Sequence, residues 1–161
     1  MAKSIPLTQG HSALVDDADW PAASRYKWHL RRGNRGILYA SRNVTVREAG
    51  RKGGAQMLHQ LILGTKLVDH RDGDGLNNVR SNLRRTTKCF NAANSRKRVD
   101  ALTSRFKGVS FDRERGSWKM QVKCGQKRII KRFASELDAA NAYDRAAVEL
   151  FGEHARVNGD I

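Results

Sequence analysis

Asp69 and His70 stand side by side in the stretch VDHRDGDGLNNVRSNLR, residues 68–84, with Asn82 near its end and Asn91 seven residues beyond Arg84. A carboxylate and an amide oxygen are hard donors that can share one Mg²⁺-like ion. A neutral imidazole beside that ion can take a proton from water. A second amide can fix the orientation of the ring. The ion can stabilise the charge on a phosphate and on its leaving oxygen. Asp69, His70, Asn82 and Asn91 supply these groups in order, and hydrolysis of a phosphodiester needs little more.

Two plainer readings compete. A calcium loop of the EF-hand kind wants oxygen ligands at positions one, three and five, glycine at six and glutamate at twelve. Counted from Asp69, position three is Arg71 and position twelve is Arg80; counted from Asp72, position five is Leu76 and position six is Asn77. Both registers fail. A polar hairpin accounts for residues 72–78, because Asp, Gly and Asn are ordinary turn residues. It gives no reason for His70 beside Asp69, nor for the later SNLR and NAAN.

The surrounding elements must bring these groups together. AQMLHQLILG reads as a short apolar helix closed by Gly64. TTKCFNAANSRKR lacks Gly and Pro and reads as helical, with Thr86 or Thr87 as its N-cap. Residues 4–56 read as β-rich: SALVDDADW as a strand entering a turn, and RYKWHLRRGNRGILYASRNVTV as a hairpin turning at GNRG. AGRKGG is a break and SRKRVDALTS a linker. No motif gives residues 4–54 a role. Farther on, FKGVSFD, SWKMQVKC and KRIIKRF read as three strands. In the second strand Trp118, Met120 and Val122 face one way and Lys119, Gln121 and Lys123 the other. In the third, adjacent Ile129 and Ile130 blur the alternation. A helix follows, with Ser135 as N-cap, Ala139, Tyr143, Ala146, Ala147 and Leu150 on one face, and Gly152 at its end. Trp118, Tyr143 and Phe133 are expected in the core.

Composition restricts the partner. The 161 residues carry a net charge of +15, which points to a polyanion, nucleic acid before an anionic membrane. The charge is uneven. Residues 84–98 hold six basic and no acidic residues, 101–133 ten basic and two acidic, and 134–161 two basic and six acidic. One surface, rather than the whole molecule, should meet the polyanion. No apolar run approaches the roughly 20 residues of a membrane span, and MAKSIPLTQG lacks the apolar core of a secretory signal. A cytoplasmic protein is expected. Cys89 and Cys124 form no CxxC pair, which argues against structural zinc. In a reducing cytosol they are expected as free thiols, with a single disulfide as the alternative.

Residues 55–95, AQMLHQLILGTKLVDHRDGDGLNNVRSNLRRTTKCFNAANS, resemble the HNH homing-endonuclease domain common in phages and their hosts. That family's signature is a helix bearing a histidine, then DH, a DG-N turn, NLR and a final asparagine. The resemblance implies a ββα-metal finger of two antiparallel strands and a helix around one divalent ion. It implies Asp69 and Asn91 as metal ligands, His70 as general base and Asn82 as the residue orienting His70. Asparagine as the last letter favours Mg²⁺ or Mn²⁺ over zinc. Asn94 is a competing ligand, and His59 a secondary residue in a phosphate-contacting, supporting or purely structural role.

Residues 104–158 resemble a second family, the plant APETALA2/ethylene-response-factor DNA-binding domain, which also occurs fused to phage HNH nucleases. FKGVSFD, SWKMQVKC, KRIIKRF and SELDAANAYDRAAVELFGEHARVN carry the likeness. It implies a three-stranded sheet packed on one helix, with the sheet in the major groove of double-stranded DNA. By that likeness Lys107, Ser110, Lys127, Ile129 and Lys131 join Lys119, Gln121 and Lys123 on the DNA face. Lysines would supply phosphate attraction and register, and Gln121 can read a base edge. The plant domain has arginines and tryptophans at several of these positions, so its target sequence does not transfer.

The expected architecture is α+β. A β-rich region spans residues 1–54, the ββα-metal nuclease core 55–98, and the APETALA2-like domain 99–161. The expected function is a metal-dependent DNA endonuclease of nicking or homing type, encoded by a phage or prophage, with no obligatory protein partner evident. The alternative is a sequence-specific DNA-binding regulator with an inactive nuclease centre. An RNA- or membrane-binding basic protein is disfavoured by the lack of an aromatic stacking motif or a basic amphipathic helix.

Overall fold

The structure is a computed structural model that describes residues 1–50, 53–97 and 103–160. Residues 51–52 of the expected break and 98–102 of the expected linker lie outside the described residues. Among the described residues the architecture is mixed α and β, built on four small sheets whose strands pair antiparallel. The chain divides into two compact units, Met1–Thr86 and Thr87–Ile161. The segment expected at 55–98 is therefore shared between them.

In the first unit, strands β1 (Ala2–Pro6) and β2 (Ser12–Asp16) form one hairpin. A helical turn α1 (Trp20–Ala23) leads to a second sheet of β3 (His29–Arg32), β4 (Leu38–Val44) and β5 (Gly54–Met57), in that order. A second turn, α2 (Val46–Ala49), links β4 to β5. Helix α3 (Leu58–Leu63) closes on Gly64, whose φ of 63° is a left-handed conformation that glycine adopts without a Cβ clash. The expected helix over 55–64 thus begins three residues late, because Ala55–Met57 pair with β4. The last two strands, β6 (Val68–His70) and β7 (Leu83–Arg85), flank the acidic turn. Ile5, Ala13, Val15, Ala23, Trp28, Ala40 and Leu58 form the core. Each large apolar side chain withdrawn from water there contributes roughly 1.5–3 kcal/mol.

The second unit starts with helix α4 (Lys88–Ala93), capped by the Thr87 hydroxyl, which accepts from the Phe90 amide at 3.2 Å. Strands β8 (Val109–Asp112), β9 (Ser117–Cys124) and β10 (Lys127–Phe133) form one sheet with β9 in the centre. Helix α5 (Glu136–Phe151) starts at Ser135, whose hydroxyl accepts from the Asp138 amide, and stops at Gly152. Val109, Met120 and Val122 of the sheet are buried with Ala139, Ala140, Tyr143, Ala147 and Phe151 of the helix. Trp118 and Phe133 pack against this core, as expected. Alanines on the inner face let α5 lie close to the sheet. At Gly108 a Cβ would stand 2.1 Å from the Tyr143 ring, so the approach requires glycine.

The cysteines depart from expectation. Cys89 of α4 and Cys124 of β9 form a disulfide across a Cα–Cα distance of 5.5 Å. Neither the CxxC test nor the charge pattern could reveal a pair that only the packing of α4 on the sheet brings together.

Candidate active site

Asp69 and His70 lie on β6, and both are buried. In the two-strand ladder Asp69 faces Arg84 and His70 faces Leu83. The Asp69 Oδ2 accepts from Arg84 Nε at 2.9 Å and from Arg84 Nη2 at 2.7 Å. A buried pair of this kind contributes little net stability, but removing one partner strands the other charge at a cost of about 3–5 kcal/mol. Arg84 is not among the residues expected at the site. Its signal was there, since pairing DH with NLR across the turn puts Arg84 opposite Asp69.

His70 sits among groups from three elements. Asn78, fully buried, lies with its Oδ1 3.3 Å from His70 Nε2. Asn78 Nδ2 donates to the carbonyls of Leu76 at 3.0 Å and Gly75 at 3.4 Å. Those two bonds orient the amide so that its oxygen faces the ring. An oxygen can only accept, so Nε2 carries the proton and the basic lone pair of the neutral ring resides on Nδ1. His59, buried on α3, meets His70 edge-on at 5.0 Å between centroids. Tyr39 of β4 touches both rings, at 5.8 Å and 5.9 Å.

Burial disfavours charge on this cluster. It lowers the His70 pKa below 6.5, against the opposing pull of the Asn78 bond and of Asp72, Asp69 and Asp74. Burial, then the neighbouring His70, lowers His59 to about 3. Burial, then the Asp69 charge, raises Tyr39 above its usual 10. Both imidazoles are therefore neutral at physiological pH, the state in which a ring can accept a proton.

Asn82 does something other than the resemblance implies. Its Nδ2 donates to Asp72 Oδ1 at 3.0 Å and to the Asn77 carbonyl at 2.8 Å, and its Oδ1 accepts from the Asp72 amide at 3.1 Å. It staples the acidic turn, and the amide at His70 is Asn78's. The reason is geometric: Asn82 lies just before β7, where its side chain meets the start of the turn at Asp72. Asp72 is a turn residue, as expected. It accepts from the Asp74 amide at 2.8 Å and from Asn77 Nδ2 at 2.8 Å. Burial pushes its carboxyl up, but these bonds and the one from Asn82 Nδ2 outweigh burial and hold it below the usual range. Asp74 accepts from the Leu76 amide at 2.9 Å.

The N-terminal region braces this loop, a role no motif announced. Leu14 of β2 bonds the chain on both sides of Asn77: its amide donates to the Leu76 carbonyl at 2.9 Å and its carbonyl accepts from the Asn78 amide at 2.8 Å. Arg80 donates to both Asp19 oxygens at 2.8 Å and 2.7 Å, and its amide donates to Asp16 at 2.7 Å. Gly75 lies under Tyr39 so tightly that a Cβ would stand 2.4 Å from the ring and 2.4 Å from the Leu38 carbonyl.

Among the described residues, no three His, Cys, Asp or Glu side chains come together to hold a metal ion. Zinc-like cages need such a set. A hydrated Mg²⁺ or Mn²⁺ needs only one or two carboxylates beside substrate phosphate. One buried carboxylate, Asp69, matches that lesser demand in donor type.

The remaining expected residues belong to the second unit. Asn91 is exposed on α4, and Asn94 is buried at the helix C-cap. In the sheet, Lys119 pairs across to Ser110 and to Arg132, Gln121 to Ile130, and Lys123 to Arg128. Directly opposed residues share a face, so these seven form the face turned from α5. Lys127, Ile129 and Lys131 oppose Cys124, Val122 and Met120. They are therefore on the core side, which corrects their expected place beside Lys119. Ile129 packs against the core, while Lys127 and Lys131 are exposed on the edge strand. The residues of β10 that join the open face are Arg128, Ile130 and Arg132. Arg128 Nη2 donates to Gln121 Oε1 at 3.0 Å. Lys107 is engaged within the unit: its ammonium donates to the Ala93 carbonyl at the end of α4, and its amide donates to Asn158 Oδ1 at 2.6 Å. Among the described residues no helix is long and apolar enough to cross a membrane.

Comparison with known proteins bears on this geometry. Over 155 residues, 93% of the chain and 76% of the relative, it is 33% identical to an uncharacterized HNH endonuclease of Acanthamoeba polyphaga mimivirus. Over 65 residues, 40% of the chain and 13% of the relative, it is 37% identical to an AP2-like ethylene-responsive transcription factor of Arabidopsis thaliana. Over 71 residues, 44% of the chain and 16% of the relative, it is 34% identical to APETALA2-like protein 2 of Oryza sativa. No family model matches the chain, and no solved structure matches it.

Proposed function

The chain belongs to the HNH endonuclease family, and on that premise we propose that it is a metal-dependent DNA endonuclease of nicking or homing type. His70 is the general base. The observation that carries this is the pairing of a buried, neutral His70, tied through Nε2 to Asn78, with the neighbouring carboxylate of Asp69. With Nε2 committed to Asn78, Nδ1 takes the proton from the attacking water. Asn78 holds the ring, and His59 and Tyr39 pack against it. Arg84 fixes the Asp69 carboxylate. Asp69 would hold the Mg²⁺ or Mn²⁺ ion. Once bound, the ion supplies charge stabilisation at the scissile phosphate and the leaving oxygen.

Double-stranded DNA is held by the sheet of the second unit, an APETALA2-like module. Ser110, Lys119, Gln121, Lys123, Arg128 and Arg132 form its contact face, with the cations supplying phosphate attraction. The test is incubation of supercoiled plasmid with the protein and Mg²⁺ or Mn²⁺, with chelator, and with His70→Ala. Relaxed or linear product from wild type with metal, and none with chelator or His70→Ala, is expected. Tight DNA binding without cleavage in any metal would instead indicate a DNA-binding regulator with a silent centre.

A further inference from the structure

We propose that Arg84 makes divalent-ion binding at Asp69 conditional on the phosphate of the substrate. This rests on reading Asp69 as the metal ligand. The two residues are direct cross-strand neighbours, 5% and 7% exposed, and two guanidinium nitrogens converge on one Asp69 oxygen. A guanidinium does not lose its proton in proteins, so its charge persists in every state of the site. The Asp69 carboxylate is thus already balanced before any ion arrives. The other nearby carboxylates, Asp72 and Asp74, are committed to the acidic turn.

A divalent ion entering this buried pair brings two further positive charges beside Arg84, where like charges repel with little screening. The phosphodiester supplies the missing negative charge, and that charge grows as the water attacks. Ion and phosphate therefore bind with positive coupling, each raising the affinity of the other by the same factor. The fork also fixes the carboxylate's direction, which makes Arg84 a positioning residue as well as a counter-charge. Its consequence for function is restraint: without DNA the centre holds its metal weakly, and it assembles on the substrate.

The test is Mn²⁺ binding followed by electron paramagnetic resonance in a His70→Ala background, so that DNA is not consumed. Wild-type Arg84, Arg84→Met and Arg84→Lys are compared with and without duplex DNA. Asp69→Asn serves as the reference for ions held by the DNA itself. With Arg84 in place, duplex should tighten Mn²⁺ binding at least about tenfold. Arg84→Met should bind Mn²⁺ about tenfold tighter without DNA and gain little from the duplex, whereas Arg84→Lys, which keeps the charge, should still show the coupling. If Arg84→Met is destabilised but still folded, a larger Mn²⁺-induced rise in its Tm than in the Arg84 protein reports the same difference. Equal Mn²⁺ affinity of the Arg84 and Arg84→Met proteins without DNA would overturn the inference and leave Asp69 a ligand. Mn²⁺ binding that Asp69→Asn leaves unchanged would overturn the metal reading and the inference together.

Discussion

At the scale of single residues, the centre depends on which asparagine faces His70. The stretch GLNNVRSN offers three, and spacing alone cannot say which side chain turns inward. The choice is made by the Leu76 and Gly75 carbonyls, which orient Asn78, and by the Asp72 end of the turn, which captures Asn82. Asn78→Ala should therefore lower the single-turnover cleavage rate about 10–100-fold, as loss of an orienting partner does, with DNA affinity kept. Asn82→Ala should lower stability by about 1–3 kcal/mol, through unsatisfied turn groups, and leave the rate at saturating protein nearly intact. Asn82→Ala losing its rate at unchanged Tm while Asn78→Ala keeps it would reverse the two roles. His59 carries a pH signature. Its folded pKa of about 3 lies below the ordinary 6.5, so the unfolded chain binds the extra proton first. The stability that neutral His59 contributes is complete above pH 6.5 and is lost as pH falls toward 3. In thermal melts, His59→Phe should lose less stability than wild type between pH 6.5 and 4.5, by roughly 2 kcal/mol. Parallel Tm curves for the two proteins would contradict this.

At the scale of elements, the sequence was most readable where periodicity and capping coincide. The β3–β4 hairpin, the three strands of the second unit, and α5 between Ser135 and Gly152 all appear as patterned. Thr87 caps α4 as one of two expected positions, but the helix stops at Ala93, with Asn94 as its C-cap. What could not be read depends on register. Adjacent Ile129 and Ile130 allow either isoleucine to face inward, and pairing of Ile129 with Val122 decides it. That single choice moves Lys127 and Lys131 to the core side and brings Arg128 and Arg132 to the open face. Tyr39 and Leu14 were equally unreadable, because their contacts with the site join segments far apart in the chain. The register yields a direct comparison of faces by DNA binding titrated against salt. Lys119→Ala with Lys123→Ala should weaken binding and flatten the slope of log affinity against log salt by about two. Lys127→Ala with Lys131→Ala should change the slope little. An equal loss from both pairs would mean that the open face is not the principal contact.

At the scale of the whole molecule, the candidate site and the basic sheet are divided along the chain. Asp69, His70, Asn78 and Arg84 lie in the unit Met1–Thr86, where the N-terminal strands brace the acidic turn. The basic sheet lies in the unit Thr87–Ile161, together with the disulfide that joins α4 to β9. Leu14, Asp16 and Asp19 therefore brace the turn that follows His70. The net charge of +15 favours DNA association at low salt for any variant that folds, so binding alone is a weak test of the account. Cutting is the strong one. The most direct measurement is the single-turnover rate of strand cleavage on end-labelled duplex DNA, with protein saturating and Mg²⁺ or Mn²⁺ present, for wild type and His70→Ala. Equal occupancy of the duplex and a rate in His70→Ala lower by at least about 100-fold are expected. A His70→Ala protein that binds and cuts at the wild-type rate would contradict this.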